Sequence, residues 1–238
     1  MGNINIIKSF VASFALAGLL SSCSTLEEAS VHGFNSGYYK VESGKDPLQK
    51  VYVDVTEEKI EVYRLKNHLP DKADITTIPL LPSDSLKFEP AIFKKNSLDI
   101  DITTVLLKYR PPSGDLPAQM ITDFNVALFA GWRHDTYSVT GKMNPLGTRY
   151  PKIKSRGYDF GVFAGPGATS VNAATTRNKI TDEYNGVIIQ TGVAGFLETN
   201  VASFGIAVGF DYLLNDDRRV WIYDNKPWAG FIVGIALN

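Results

Sequence analysis

Residues 201–213 read VASFGIAVGFDYL and alternate without interruption between two kinds of side chain. One face of the segment is apolar and carries Ala202, Phe204, Ile206, Val208, Phe210 and Tyr212. The opposite face carries Ser203, Gly205, Ala207, Gly209 and Asp211. Because successive side chains of a β-strand point to opposite faces, this period of two predicts a strand with one strongly apolar face. Its length is sufficient for a tilted strand to cross the hydrocarbon core of a bilayer, which takes about 9–11 residues.

Five other segments beyond residue 97 have comparable length and alternation, which makes six candidate strands. They are Leu98–Arg110, Ile121–Arg133, Gly157–Thr169, Asn185–Glu198, Val201–Leu213 and Trp228–Asn238. The last five segments contain twelve glycines, and eleven of these lie opposite the apolar stripe. A soluble barrel has polar residues on its outer face, whereas a face of glycine and alanine suits a narrow lumen. We therefore predict an all-β protein with an antiparallel up-and-down β-barrel of about 8 (to 10) strands, of the outer-membrane type.

The same five segments contain five charged residues, and all five lie opposite the apolar stripe. These candidate site residues, expected to form a network in the lumen, are Asp123, Arg133, Asp159, Glu198 and Asp211. If paired, they plug a small barrel, and if unpaired, they line a narrow path that prefers cations; we favour the plug. Asp99 and Asp101 share one face and are interpreted as further lumen acids; the alternative is that they flank a substrate or a cation. Lys108 and Arg110 share the parity of the apolar residues, so we expect them to reach the membrane interface.

Six strands are fewer than the eight that a single-chain barrel usually needs. We expect the missing pair to come from Ser36–Ser43 and Leu86–Phe93; the alternative is that strands are shared between subunits. The turn at Thr199-Asn200 is short, whereas long polar connections occur at residues 111–120, 170–184 and 214–227. Short turns on one side and long loops on the other are typical of outer-membrane barrels. The connection 138–153 departs from this rule, because it is long on the side of the short turns.

The N-terminus has the order of a secretory signal, in which a basic residue, Lys8, precedes the apolar stretch Phe10 to Leu20. The sequence Leu20-Ser21-Ser22-Cys23 resembles the bacterial lipobox, in which the cysteine is lipidated and becomes the new N-terminus. Cys23 is the single cysteine of the chain. Ser24 stands where the inner-membrane retention signal has Asp, so the resemblance implies delivery to an outer membrane. The alternative is an ordinary signal peptide followed by an incidental cysteine.

Three segments look like those of a group of uncharacterised outer-membrane proteins of the Bacteroidota: Leu98–Arg110, Asn125–Arg133 and Trp221–Asn238. The resemblance implies an outer-membrane β-barrel and no assigned activity. One departure is that the chain ends in Leu237-Asn238, where many such barrels end in an aromatic residue. The domain organisation that we predict is, in order, a signal peptide at 1–22, a tether at 23–35, an irregular hairpin-containing segment at 36–85 and the barrel at 86–238.

Composition and motifs give little evidence of chemistry. The formal net charge is -1, which leaves no basic footprint for nucleic acid. His32, His68 and His134 have no partner at catalytic or metal-binding spacing and are interpreted as surface residues. The stretch from Gly165 to Ser170 lacks the lysine of a phosphate-binding loop. We expect no catalytic residues, no metal and no cofactor.

The first functional hypothesis is therefore a non-enzymatic outer-membrane lipoprotein with a small integral barrel, which is structural or presents its loops for interaction. Its predicted partner is the membrane, through the lipid anchor and the barrel, and the sequence identifies no protein partner or ligand. A second hypothesis is a small pore or a lipid-handling barrel. A third is a tethered, soluble periplasmic barrel that binds a ligand, and this one requires the apolar stripes to face inwards.

Overall fold

The structure is a computed structural model, and it describes residues 33–43, 48–81, 89–114, 116–198 and 203–236. Strands account for 73% of the described residues and helices for 4%, so the prediction of an all-β protein is confirmed. The predicted signal peptide and Cys23 lie outside the described residues, as do Leu237 and Asn238. Within the described ranges, no helix is long and apolar enough to cross a membrane.

The described residues form eleven antiparallel strands in one sheet. In chain order they are β1 (Gly37–Ser43), β2 (Gln49–Val55), β3 (Lys59–Lys66), β4 (Leu69–Pro79), β5 (Ala91–Arg110), β6 (Gln119–Ile121), β7 (Ala127–Met143), β8 (Arg149–Val171), β9 (Tyr184–Glu198), β10 (Ser203–Leu213) and β11 (Pro227–Ala236). The predicted number of about 8 (to 10) strands is thus too low for the sheet. The reason is that β2, β3 and β4, from the segment expected to be irregular with one hairpin and separate from the barrel, join the same sheet.

Six of the strands pair in a cycle: β5, β7, β8, β9, β10 and β11 each pair with the next, and β11 pairs with β5. We call this set the six-strand cycle. A path across its ladders from Asp99 passes through Gly131, Gly161, Ala194, Ala207 and Gly230 and returns to β5 at Lys108. The path therefore returns nine residues further along the strand, so the strands are strongly staggered.

The six predicted segments overlap the six strands of this cycle, but the predicted missing pair does not enter it. β1, within the segment Ser36–Ser43, pairs with β2 and with the first residues of β5. Residues 91–93 of the segment Leu86–Phe93 are the start of β5 itself. Because β5 is 20 residues long, one stretch of it pairs with β1 and a later stretch of the same edge pairs with β11.

Of the remaining five strands, the short β6 pairs with the last residues of β5. The other four, β1 to β4, form an extension of the sheet beside the first residues of β5 and the distal parts of β7 and β8. Its core surrounds Phe34, which is fully buried and stacks on Tyr137 with ring centroids 4.7 Å apart. Tyr137 donates a hydrogen bond to the carbonyl of Gly33 at 2.7 Å, and its burial raises its pKa to about 12. Gly33 and Phe34, in the stretch expected to be tether, thus belong to the folded part.

Two hairpins show how the sequence forms the extension. Asn67 and His68, which connect β3 and β4, both have positive φ angles of 52° and 66°. This is the two-residue turn that matches the twist of a hairpin. The hairpin of β7 and β8 reaches Met143 and Arg149, so most of the long connection 138–153 is strand. The extra length on that side is therefore part of the sheet.

The two ends of the six-strand cycle differ. One, which we call the turn end, is where Glu198 of β9 pairs with Ser203 of β10 and where the extension begins; the predicted turn at Thr199-Asn200 lies outside the described residues. The other, which we call the loop end, carries the long connections 111–118, 172–183 and 214–226. Between the ends, the buried face holds an apolar core that includes Phe129, Phe163, Phe196 and Trp228. Phe129 and Phe196 make an edge-to-face contact with centroids 4.9 Å apart.

Candidate functional site

The predicted lumen network is divided in two by this apolar core. Asp211 lies at the loop end with Lys108, Arg110 and Trp228, and we call these four residues the Asp211 cluster. At the turn end a second group is buried or half-buried, and we call it the acidic cluster. It consists of Asp99, Asp101, Asp135, Asp159, Glu198 and Arg133. Arg133, Asp159 and Glu198 of the prediction are thus brought together, and Asp211 is separated from them.

Asp211 is a fully buried carboxylate with a complete set of partners. It accepts hydrogen bonds from Lys108 Nζ at 2.9 Å, Arg110 Nη2 at 2.6 Å and Trp228 Nε1 at 2.9 Å. The ammonium of Lys108 also lies 4.6 Å from the centre of the Trp228 ring, and Arg110 lies 4.6 Å from that of Tyr223. Charges this deeply buried are tolerated when they are paired and hydrogen-bonded.

Lys108 and Arg110 correct one of our predictions. They were expected to share the apolar face and reach the membrane interface, but both are buried on the opposite face. The register explains the change, because Phe231 pairs with Leu107 while Ile232 pairs with Val105. The extra residue between them, Leu106, forms a β-bulge, and a bulge shifts the parity of every residue that follows.

Asp123, the fifth predicted network residue, lies near the Asp211 cluster. Its carboxylate accepts a hydrogen bond from the Thr169 hydroxyl at 2.7 Å, and its charge acts on both Lys108 and Arg110. With Asp211 it balances the two cations. Asn125, which our sequence analysis did not select as a site residue, lies just before β7 and connects the chain there to β5. Its amide bonds both the N–H and the C=O of Val105, in place of a backbone partner.

In the acidic cluster, neighbouring strands bring five carboxylates together around one cation. Arg133 contacts Asp135 at 3.1 Å, Glu198 at 3.5 Å and Asp99 at 3.9 Å. Asp159 stands directly across from Arg133 in the ladder, but it receives no hydrogen bond from it. Arg133 is 23% exposed, whereas the acids around it are almost fully buried. It thus closes one side of the cluster rather than filling its centre.

Glycines keep space open around these acids. A Cβ atom on Gly157 would lie 2.6 Å from Asp135 Oδ1, and one on Gly234 would lie 2.9 Å from Asp101 Oδ2. Both distances are shorter than real Cβ contacts allow. The glycines of the buried face therefore leave room for carboxylates, as well as for neighbouring backbone.

The loop end holds an apolar core and a pocket. Trp221, Ile222 and Tyr223 pack against Val171 and Leu213 in a third apolar core. Beside this core is a pocket of about 450 Å³, lined by residues that include Arg110, Met120, Asp123, Thr169, Asn172 and Tyr223. Its lining combines charged, amide, hydroxyl and apolar groups, which suits a polar ligand or a side chain of a partner.

The histidines and the stretch 165–170, where the structure describes them, lie in a turn or in strands. His68 lies in the tight turn described above, and His134 stacks on Tyr158 with centroids 4.9 Å apart. Residues 165–170 lie within strand β8, not in a loop. His32 lies outside the described residues. Comparison with protein-family models, curated proteins and solved structures gave no match for this chain.

Proposed function

We propose that this protein is an outer-membrane lipoprotein whose six-strand cycle is a small integral β-barrel with a filled lumen. In this proposal the barrel is non-enzymatic. It anchors the chain and presents the loop end, with its pocket, to a partner or ligand. The anchor at Cys23 and the extension belong to the periplasmic side, and the long loops lie outside.

One observation carries the proposal: the exposed face of the six-strand cycle has no charged residue among its described positions between the two ends. Large exposed side chains follow each strand, for example Ile100, Leu128, Phe160, Val193, Ile206 and Phe231. Soluble monomers rarely expose a continuous apolar surface of more than a few hundred Å². Hydrocarbon is the environment in which such a belt has no cost, and a buried Lys or Arg there costs about 2–4 kcal/mol.

The extension provides an internal comparison. Exposed positions of the extension, and of the parts of β5 and β8 that lie on its side of the cycle, include Lys40, Lys50, Lys94, Lys154 and Arg156. The same long strands, β5 and β8, thus carry cations on their exposed face in the extension and apolar residues in the cycle. This change of character along one strand is what a boundary between water and lipid predicts.

The dimensions of the belt are consistent with a bilayer. On β9 it runs from Val187 to Leu197, and both side chains are exposed. With a rise of about 3.3 Å per residue and a tilt of about 45°, this stretch spans roughly 23 Å. The apolar band of outer-membrane barrels is about 25 Å tall.

The buried face favours an anchor over a pore. Phe129, Phe163, Phe196 and Trp228 meet at the centre of the cycle, and each is at most 2% exposed. Even eight strands enclose an interior only wide enough to be filled by side chains, and six strands enclose less. The third hypothesis, a soluble barrel with an internal ligand, requires apolar stripes that face inwards, and here they face outwards.

Lysine substitutions test the membrane assignment. In a Cys23→Ala background, where no lipid holds the chain at the membrane, Ile206→Lys places a cation in the middle of the belt, so we expect the protein to be lost from the outer-membrane fraction. Ile75→Lys is the matched control, because Ile75 is an exposed isoleucine of the extension strand β4. We expect it to accumulate in the membrane like the unmodified protein. Normal membrane integration of both variants would contradict the proposal.

A further inference from the structure

The acidic cluster is not balanced by protein charges. It contains five carboxylates, and Arg133 is the one cation that the described residues bring within salt-bridge distance of them. The Asp211 cluster differs, since Lys108 and Arg110 there face Asp211 and Asp123. An unpaired buried carboxylate is strongly disfavoured unless a cation or a proton neutralises it.

Individual oxygen atoms show where the missing charge belongs. Both carboxylate oxygens of Asp101 and both of Asp159 are buried without a hydrogen-bond donor. Asp99 Oδ2 and Glu198 Oε1 are also buried without one. Asp101 is 0% exposed and Asp159 2%, so water does not supply donors from the bulk. These unpartnered acceptors lie beside one another on strands β5, β8 and β9.

The spacing of three of these acids matches a hard cation. One oxygen each from Asp99, Asp101 and Glu198 lie within 4.8 Å of one another. Two ligands on opposite sides of a calcium ion, each at about 2.3–2.6 Å, are separated by about the same distance. Asp159 is a fourth acid beside Asp99, and the glycine at position 234 leaves the space next to Asp101 free of a side chain.

We propose that Asp99, Asp101 and Glu198 bind a calcium ion at the turn end of the six-strand cycle, with Asp159 as a further acidic partner. Ca²⁺ accepts six to eight oxygen ligands in flexible geometry, including bidentate carboxylates, and this set supplies such oxygens. Mg²⁺ demands near-ideal octahedral geometry and keeps several waters, which a nearly dry site does not offer. The ion joins three strands that are distant in sequence and thereby stabilises this end of the fold.

Thermal unfolding of the full chain in detergent, in CaCl₂ or in EDTA, tests the proposal. We expect Ca²⁺ to raise the midpoint by several degrees and Mg²⁺ to raise it less. Calorimetric titration with CaCl₂ is expected to give one site per chain. Equal midpoints in CaCl₂ and EDTA would overturn the proposal and identify shared protons as the neutralising charges, and an equal response to Mg²⁺ would overturn the assignment to calcium.

Asp101→Asn distinguishes a site from a general salt effect. We expect it to weaken Ca²⁺ binding at least tenfold. Because it removes one repelling charge, its midpoint in EDTA is expected to equal or exceed that of the unmodified protein, so loss of binding will not be confused with loss of folding. Asp74→Asn, in an exposed acid of β4, is the control and is expected to keep the full response to Ca²⁺. Retention of that response by Asp101→Asn would contradict the proposal.

Discussion

At the scale of single residues, one inserted amino acid determines the environment of two cations. Leu106 forms the bulge after which Lys108 and Arg110 face inwards to Asp211. Strict alternation from residue 98 onwards predicts the opposite face, because the period of two contains no information about a bulge. An energetic argument could have indicated the bulge from the sequence, because two cations in an apolar row are costly unless the register shifts.

Removal of the Asp211 charge tests the importance of this pairing. Asp211→Asn removes the carboxylate that Lys108 and Arg110 contact directly and leaves Asp123 to face both cations. Breaking a buried ion pair typically costs about 3–5 kcal/mol. We expect a large fall in the midpoint of thermal unfolding. The measurement is the fluorescence of Trp228 and its neighbours as the temperature is raised. Asp216→Asn, in an exposed acid of the connection 214–226, is the control and is expected to leave the midpoint unchanged. A midpoint for Asp211→Asn equal to that of the control would show that the buried pairing is not needed.

At the scale of strands, glycine positions explain how six strands curve so tightly. A Cβ atom on Gly192 would lie 2.3 Å from the carbonyl oxygen of Val208, on the neighbouring strand β10. Gly161, Gly165 and Gly205 have equally close contacts with backbone oxygens. The enrichment of glycine on one face was evident in the sequence, and it indicated a crowded interior. The specific backbone contacts were not predictable, because they depend on the stagger between strands.

Gly192→Ala is expected to destabilise the cycle by about 1–3 kcal/mol, the usual range for overpacking, because backbone must move to admit the methyl group. Gly195→Ala is the matched control on the same strand. Its Cβ would meet nothing closer than 3.5 Å, so we expect little change. The measurement is the urea concentration at half-unfolding in detergent. Equal midpoints for the two variants would contradict the crowded-interior account.

Closure of the cycle within one chain rests on the pairing of β11 with β5. Ala229 and Tyr109 stand opposite each other in that ladder, and cross-strand neighbours of this kind lie within the reach of a disulfide. In a Cys23→Ala background, we expect Ala229→Cys combined with Tyr109→Cys to form a cross-link within one chain on oxidation. Ala229→Cys alone is the control. A product of twice the chain mass would instead support strands shared between subunits.

At the scale of the whole molecule, the sequence predicted the strands that share one alternating pattern, and it did not predict the pairings that occur only once. Alternation over 201–213 and its five companions located the strands of the cycle, since the signal is repeated along each strand. The pairing of six strands in a cycle and the joining of β2, β3 and β4 to the same sheet were missed. Both depend on β5, whose 20 residues pair with β1 near the start of the strand and with β11 further along it. No local sequence pattern predicts this change of partner.

In our proposal, the six-strand cycle itself lies in the membrane, independently of any lipid at Cys23. The most direct test is membrane fractionation of a Cys23→Ala variant with a cleavable signal, followed by carbonate or urea washing. We predict that the protein remains in the outer-membrane fraction and changes its migration on a gel when heated, as a folded barrel does. Release into the wash as a folded, soluble protein would contradict the account.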